Sequence, residues 1–329
     1  MTKEYLDLKM DFMFKQFFGD PRRKSITIAF LNNILKRKDE MIIDVHYENT
    51  ERIKEEYDGK TSKLDVLVST SNGERINVEI QIRKHPDFPE RVLYYWSKLY
   101  SSSIGSGDEY SKLVPTIMIS ILNYPLFPQE TDSFHNEFKL MEVQEHFHWS
   151  QHLEFHVLDL SQFMLKWKKY KREMKQNRSS EYPWLMMLTA ANHENKTVNQ
   201  EMIQELEEFA MNEQEIREAL IEWETLSSNK ENKILYESRL KFLRDQLSLV
   251  RGERKAAREE GLAEGLAEGL AEGRAKGLAE GRAEGRAEGI GEGINLVAKN
   301  MLNNGKSIDE IMELTGLTQK EILLLKNTD

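Results

Sequence analysis

The sequence predicts an α/β domain followed by an all-α C-terminal region, and three observations indicate this. Residues 64–70 and 74–82 alternate apolar with polar side chains on either side of Asn72-Gly73, a pattern typical of a β-hairpin. Apolar residues at helical spacing precede and follow this hairpin, in residues 5–19 and 88–100. A four-residue glycine repeat occupies much of the C-terminal part. We therefore expect a sheet flanked by helices, followed by helices alone.

Composition excludes several classes of protein. The chain has 329 residues, a net charge of −10 and no cysteine, which rules out disulfides, thiolate zinc sites and cysteine nucleophiles. It contains no apolar run of membrane-spanning length, and its N-terminus lacks the apolar core of a signal peptide. We therefore expect a soluble cytoplasmic protein. Its acidity means that any nucleic-acid contact needs a local basic surface.

The length of the hairpin loop determines which residues face each other. A two-residue Asn-Gly loop would set Asp65 opposite Ile80, among apolar side chains. A three-residue loop with Gly73 in the left-handed conformation instead pairs Thr70 with Glu74. It collects most apolar residues of both strands on one face and leaves Leu67 on the other. Because register follows the buried face, we predict the second pairing.

The predicted register creates a polar face. Asp65 lies opposite Glu79, with Cβ atoms about 5 Å apart, and Lys63 lies opposite Gln81. Two carboxylates at that distance repel unless a shared proton, a basic neighbour or a divalent cation neutralises them. The pattern alone is also compatible with a solvated strand face whose charge is balanced by Lys63 and Arg83.

Three segments in this order resemble a known family. They are DFMFKQFFGD at 11–20, NVEIQI at 77–82 and RVLYYWSKLY at 91–100. Together with Asp65 they are similar to the recombination-promoting nuclease and transposase branch of the PD-(D/E)XK nuclease superfamily. The resemblance covers residues 5–165 and implies a restriction-endonuclease-like fold, which is a mixed sheet flanked by helices.

The resemblance also implies an activity and a set of site residues. It indicates a Mg²⁺-dependent DNA endonuclease, associated with recombination or mobile elements. Asp65 and Glu79 would hold the metal, with the Ile80 carbonyl as a further ligand and the helix-borne Asp11 as an outer one. Gln81 stands where the family motif usually has a lysine.

The glutamine leaves two interpretations open. An amide can orient a water molecule but brings no positive charge to a transition state, so Lys63 or Lys15 would have to supply that charge. Alternatively, the chain is a catalytically inactive DNA- or protein-binding module that self-associates through its helical tail.

Basic side chains on helices are candidate DNA contacts. Arg91, Tyr94 and Lys98 share one face of the helix that follows the hairpin. Residues 166–178 hold seven basic side chains interleaved with aromatic ones, which suits nucleic acid but equally suits a solvated helix face. The predicted contacts are Lys15, Arg91, Tyr94, Lys98, Lys168 and Lys169.

Two further groups are not expected to form the site. Glu137-Phe138-Lys139 matches the E-x-K part of the motif, but its nearest preceding acid, Asp132, leaves little room for a hairpin. Closely spaced histidines can bind zinc when they lie one turn apart on a helix, whereas the residues around them read as strand. These histidines are His146, His148, His152 and His156.

The sequence predicts four regions: a nuclease-like domain at 1–165, a helical region at 166–250, a repeat helix or linker at 251–294, and a small helix-turn-helix-like cap at 295–329. Eight glycines at every fourth position between residues 261 and 289 each cost a helix about 1 kcal/mol. We expect a long, marginally stable helix there, acting as a linker or as a rod for homo-oligomerisation.

Overall fold

The computed structural model describes residues 4–49, 65–176 and 179–326, apart from the side chains of 170–176 and 247. The predicted α/β domain is confirmed: a six-stranded sheet has the order β1-β2-β3-β4-β6-β5 and is flanked by helices. The strands are β1 (Val45–Tyr47), β2 (Val66–Thr70), β3 (Arg75–Gln81), β4 (Thr116–Leu122), β5 (His135–Lys139) and β6 (Leu153–Asp159).

The sheet is mixed, as expected. β3, β4 and β6 run parallel, whereas the β1–β2, β2–β3 and β5–β6 pairs are antiparallel. The carboxyl ends of the three parallel strands therefore meet at one edge, the usual location of a functional site in such sheets. The sequence predicts a strand over Tyr110 to Leu122 in which the early Pro115 suggests an edge or a bulge, and the expectation of an edge is wrong. β4 is central and fully buried because Pro115 lies just before it, where the missing N–H breaks no ladder bond.

The hairpin has the predicted three-residue loop. The Thr70 N–H donates to the Glu74 carbonyl at 2.8 Å, and Gly73 adopts φ +77°. Val66 consequently pairs with Val78 and Val68 with Ile76, which puts these apolar residues on a common face, while Leu67 lies on the other face opposite Asn77. A side chain at Gly73 would be strained in this left-handed conformation.

Helices cover the sheet and continue beyond it. The pair Asp20-Pro21 is typical of a helix start, and the structure confirms it: the Asp20 carboxylate accepts the Arg22 N–H at 2.9 Å, and Pro21 occupies the first turn. The helices of this part are α1 (Asp11–Phe18), α2 (Lys24–Ile34), α3 (Phe88–Ser101), α4 (Leu160–Gln176), α5 (Tyr182–Ala190), α6 (Gln200–Asn212) and α7 (Gln214–Ser228), with short strands β7 (Ala191–Asn192) and β8 (Thr197–Val198) between α5 and α6.

The first helix, α1, is shorter than the stretch of apolar residues at helical spacing, which extends back to residue 5. α1 begins at Asp11 rather than near residue 5, because Asp7 turns the chain before it. The Asp7 carboxylate accepts the Lys9 N–H at 2.9 Å, and the Met10 N–H donates to the Asp7 carbonyl. Such local side-chain bonds compete with helix formation.

A buried polar network joins the N-terminal segment to the later helices. Asp7 is fully buried and contacts the Lys9 ammonium at 2.8 Å and His193 Nδ1 at 2.7 Å. Lys9 also donates to the carbonyls of Leu188 and Ala191. Every charged group in the network thus has a partner, which is the condition for burying charge at tolerable cost.

By internal contacts the chain divides into two compact units, Met1–Phe242 and Leu243–Asp329. The second unit contains the glycine repeat within α8 (Lys230–Asn303), followed by α9 (Ile308–Thr315) and α10 (Gln319–Lys326). Ser307 caps α9, Gly316 ends it with φ +71°, and Ala298, Ile311 and Ile322 form the core of this terminal bundle. None of the helices in the described ranges combines the length and the apolar character needed to cross a bilayer.

Replacing Asp7 with asparagine is expected to lower the free energy of unfolding by about 3–5 kcal/mol at pH 7, because Lys9 keeps a buried charge without its carboxylate. Burial favours a higher pKa for Asp7, but Lys9 and His193 outweigh it and hold that pKa below its usual value. The stabilisation is therefore complete above the unfolded-state pKa of about 4, and it is lost as the pH falls through the lower folded-state value.

Urea unfolding between pH 7 and pH 3 measures this effect. The difference in the free energy of unfolding between the parent and Asp7→Asn should become smaller below about pH 4. Asp44→Asn, which removes an exposed carboxylate paired with Lys24, is the control and should change stability little. Equal stability of the parent and Asp7→Asn at pH 7 would contradict the role given to the network.

Candidate active site

Two buried carboxylates lie on the same face of the β2–β3 hairpin. Val66 pairs with Val78, so continuing the antiparallel register by one residue sets Asp65 opposite Glu79. Glu79 is 5 % exposed, and the Asp65 side chain is 9 % exposed. The predicted juxtaposition of the two acids is therefore present in the structure, and it lies beneath a covering layer rather than on a solvated face.

Asp65 is fixed by one backbone group and one cation. Its Oδ2 accepts the Ile80 N–H at 2.9 Å, just before the β2 strand begins. Its Oδ1 lies 3.0 Å from the Lys15 ammonium on α1. The first helix thus supplies the neutralising charge for this acid, which explains why Lys15 faces the sheet.

Glu79 is held by the helix that crosses the hairpin. Arg91, on α3, donates from Nη2 to Glu79 Oε1 at 2.9 Å and to Gln81 Oε1 at 3.2 Å. The same guanidinium lies 5.3 Å from the centre of the Phe88 ring. Arg91 therefore places a positive charge beside Gln81, where the family motif would have its lysine.

Both acids are harder to ionise than usual. Burial raises the pKa of Glu79 to about 7, with Asp65 adding to the rise while Arg91 and Lys15 oppose it. Burial also raises the pKa of Asp65, against the Ile80 hydrogen bond and Lys15, and Asp11 contributes to that rise. A cation that binds here therefore competes with a proton at neutral pH.

Several polar atoms around Glu79 have no partner within the described part of the chain. Glu79 Oε2 and Arg91 Nε are buried without a hydrogen bond, and so are both amide atoms of Asn77, two residues earlier on the same strand face. Unsatisfied buried groups are uncommon and call for an explanation, such as a water molecule or an ion.

Tyr124 is a neighbour of the site that the sequence patterns did not indicate. Burial raises its pKa to about 12, and Arg91 and Glu79 both act on it electrostatically. Its hydroxyl is buried, and the backbone of His85 opposes part of the rise in its pKa. The signal that locates it is topological: it lies just beyond the carboxyl end of β4, the parallel neighbour of β3.

The residues present fit a divalent cation. Two carboxylates face each other, and the orphaned Glu79 Oε2 gives one oxygen that is free to ligate. Hard cations such as Mg²⁺ prefer oxygen donors and commonly bind through one or two carboxylates. Lys15 is 30 % exposed and has room to withdraw from Asp65. These residues therefore suit a divalent metal ion that takes the place of the Lys15 ammonium beside Asp65.

The remaining predicted ligands have different outcomes. Asp11 is exposed at the start of α1, close enough to affect Asp65 electrostatically. The Ile80 N–H donates to Asp65, while ligation of a metal by the Ile80 carbonyl stays a prediction. Lys63 lies outside the described residues.

The predicted DNA contacts fall into two groups. Lys15 and Arg91 lie at the carboxylates. Tyr94 is 45 % exposed on the same helix as Arg91, and the Lys98 ammonium lies 5.5 Å from the centre of its ring. Lys168 and Lys169 are exposed on α4. Their contact with DNA stays a prediction.

The histidines set aside in the sequence do not gather at one place. His146 and His148 are exposed, and His152 Nδ1 lies 3.2 Å from the Tyr100 hydroxyl. His156 is buried in β6 and lies opposite Glu137 of the second E-x-K sequence. Glu137 and Lys139 thus belong to a separate polar group on β5 and β6.

A family model described as PD-(D/E)XK nuclease family transposase matches residues 8–253. The match includes the hairpin, both carboxylates and α3. It also extends through the helices after the sheet, well past the residues 5–165 covered by the resemblance. No curated protein and no solved structure gives a significant match to the chain.

Replacing Arg91 with methionine is expected to raise the pKa of Glu79 above about 7, because the guanidinium is the largest effect that favours its ionised form. Carbon-13 NMR of labelled glutamate side chains, with Glu79→Gln to assign the signal, measures this value. Arg37→Met removes an arginine paired with Glu74 and should leave the pKa of Glu79 unchanged. A pKa that stays constant or falls in Arg91→Met would show that Arg91 does not support the ionised carboxylate.

Proposed function

The chain belongs to the family of PD-(D/E)XK nuclease transposases, and we propose that it is a Mg²⁺-dependent DNA endonuclease that uses Asp65 and Glu79. Members of this nuclease superfamily use divalent metals, and DNA is their substrate. The observation that carries the proposal is the buried pair of facing carboxylates, with Glu79 Oε2 left without a partner among the described residues. A role in recombination or in the movement of mobile elements follows from the family.

The proposed ligands are the two carboxylates, with the Ile80 carbonyl and Asp11 as further contributors. A bound Mg²⁺ would polarise the scissile phosphate and lower the pKa of a water molecule. Asp65 is oriented for this role by the Ile80 N–H, which holds one of its oxygens and thereby fixes the carboxylate plane. Glu79 must lose its proton before it ligates, which its raised pKa makes incomplete at neutral pH.

Positive charge at the site would come from Arg91 and Lys15. Arg91 touches both Glu79 and Gln81, so its guanidinium is positioned to stabilise charge that develops on a phosphate. Gln81 is left to orient a water molecule through its amide. Lys63, which the predicted hairpin register sets opposite Gln81, is the other proposed source of positive charge.

A DNA backbone reaching the carboxylates would pass the outer face of α3. Tyr94 offers an exposed ring for stacking, and Lys98 offers a charge beside it. Lys168 and Lys169 would extend the contact along α4. These side chains supply the local basic surface that a chain of net charge −10 requires.

Cleavage of supercoiled plasmid DNA by the full chain tests the proposal. We expect nicking or linearisation with Mg²⁺ and none with a chelator. Asp65→Asn, Glu79→Gln and Arg91→Met should each lower the rate on the order of 10²-fold or more, because each removes a metal ligand or a charge at the phosphate.

Asp108→Asn is the matched control for the cleavage assay. It removes a carboxylate whose partner, Lys112, lies in the same loop, and it should leave the rate unchanged. If Asp65→Asn and Glu79→Gln cleave as fast as the parent, the assignment of the site is wrong.

A second candidate function is a catalytically inactive DNA- or protein-binding module. The observation that favours it is that Lys15 and Arg91 already neutralise the two acids, while Gln81 replaces the usual lysine. In that case Mg²⁺ neither supports cleavage nor raises the melting temperature, whereas DNA or a protein partner still binds. Self-association through the C-terminal helices belongs to this alternative.

A further inference from the structure

A second group of metal-ligating side chains lies on β5 and β6. Glu137 is directly opposite His156, and Lys139 is opposite Glu154, so the four side chains share one face. One ligand atom from each of Glu137, Glu154 and His156 lies within 4.8 Å of the others. That spacing allows a single ion to contact all three.

This face is the reverse of the one that carries Glu79. Glu79 pairs with Ser120, Ser120 with Val157, and Val157 with Asn136, so these four residues share the face of the carboxylate pair. His156 and Glu137 are each adjacent in sequence to members of that series and therefore point to the opposite side. Within the described ranges, the two groups of candidate ligands therefore share no side chain.

The three candidate ligands differ in burial, so that an ion could reach the buried ones from solvent. The side chain of His156 is 2 % exposed and that of Glu154 is 15 % exposed. Glu137 is 47 % exposed at the outer end. An ion would therefore sit against a buried imidazole and reach it past a carboxylate at the surface.

Hydrogen bonds behind His156 fix its orientation. His156 Nδ1 lies 2.8 Å from His135 Nε2, and His135 Nδ1 lies 2.5 Å from Glu181 Oε2. If each Nδ1–H donates along this chain towards the Glu181 carboxylate, Nε2 of His156 keeps its lone pair. Metal-binding histidines are typically held in this manner through their second nitrogen.

Counting protons shows that the group needs one more positive charge. His156 Nε2 also lies 2.6 Å from Glu154 Oε1. The series therefore has three close contacts: Glu181 with His135, His135 with His156, and His156 with Glu154. Each contact needs one proton, because both of its atoms carry lone pairs when unprotonated. Two neutral imidazoles bring only two protons to these three contacts. An extra proton or a metal ion is required at the third.

A cation already occupies the neighbourhood. The Lys139 ammonium contacts Glu137 and lies 3.7 Å from Glu154 Oε2. Lys139 is 34 % exposed and sits on a flexible stem, so it can leave towards solvent when a more highly charged ion arrives.

We propose that Glu137, Glu154 and His156 bind a divalent transition-metal ion of the Zn²⁺ class. An imidazole with carboxylates suits such an ion better than Mg²⁺, which favours oxygen donors alone. Three protein ligands leave a fourth position open. The bound ion links the edge strand β5 to β6. This site is independent of the proposed DNA cleavage and of Asp65 and Glu79.

Zn²⁺ titration of the full chain, followed by calorimetry and by melting temperature, tests the proposal. The measurement uses Asp65→Asn/Glu79→Gln as its background, so that the first site does not contribute. We expect this background to bind one Zn²⁺ per chain with a rise in melting temperature. Adding Glu137→Gln should weaken the affinity at least about 10-fold.

Lys139→Met gives an expectation of opposite sign. It removes the competing ammonium, so Zn²⁺ should bind more tightly, an outcome that a folding defect does not produce. Glu145→Gln removes an exposed carboxylate from the β5–β6 connection and serves as the control with unchanged affinity. Co²⁺ should give visible absorption bands that His156→Gln abolishes.

Three results would overturn the proposal. One is the loss of Zn²⁺ binding in the Asp65→Asn/Glu79→Gln background, which would assign the ion to the first site. Another is a Zn²⁺ affinity in that background that Glu137→Gln leaves unchanged. The third is Zn²⁺ affinity that does not increase in Lys139→Met.

Discussion

The burial of two facing carboxylates beneath α3 is the constraint on which the rest of the site depends. Each acid is costly to bury ionised, so each must have its own compensation. Asp65 obtains it from Lys15 and from the Ile80 N–H, and Glu79 obtains it from Arg91. The positions of α1 and α3 relative to the hairpin are therefore electrostatic requirements as well as consequences of packing.

The helices after the sheet support this arrangement although they hold none of the proposed ligands. The segment before α1 is attached to them: Trp223 donates to the Leu6 carbonyl at 2.8 Å, and the Tyr5 hydroxyl donates to Glu224 at 2.8 Å. Asp7 and Lys9 add the buried network. Since α1 carries Lys15, fixing the segment before it also fixes the cation on Asp65. The family match through residue 253 agrees with a support role for these helices.

The hairpin could be predicted from the sequence because its information is local. The apolar alternation and Gly73 select one register, and that register sets Asp65 against Glu79. The apolar spacing of residues 5–19 extends further back than α1 does, because Asp7 makes tertiary contacts that periodicity does not contain. Pro115 suggested an edge or a bulge because a sequence does not show on which side of a proline the strand begins.

The parts of the site that were missed depend on tertiary placement. Packing of α3 on the sheet was expected to bring Arg91 near the carboxylates as a phosphate contact, whereas its direct hydrogen bonds to Glu79 and Gln81 depend on the tertiary placement of α3. Tyr124 follows β4, which begins 37 residues after Glu79 in the sequence (116 − 79). Only the strand order shows that β4 lies beside β3 and brings Tyr124 to the site. The Glu137–His156 pairing likewise requires the β5–β6 register, whereas the sequence suggested Asp132 as the partner acid.

The central claim is that Asp65 and Glu79 share a divalent cation. Anomalous X-ray scattering from crystals of the full chain grown with Mn²⁺ tests it most directly. The account predicts a manganese peak that contacts one oxygen of each carboxylate, with the Lys15 ammonium moved away from Asp65. A map in which Lys15 and Arg91 keep their ion pairs and no peak lies between these two acids, even if manganese appears elsewhere on the sheet, would contradict it.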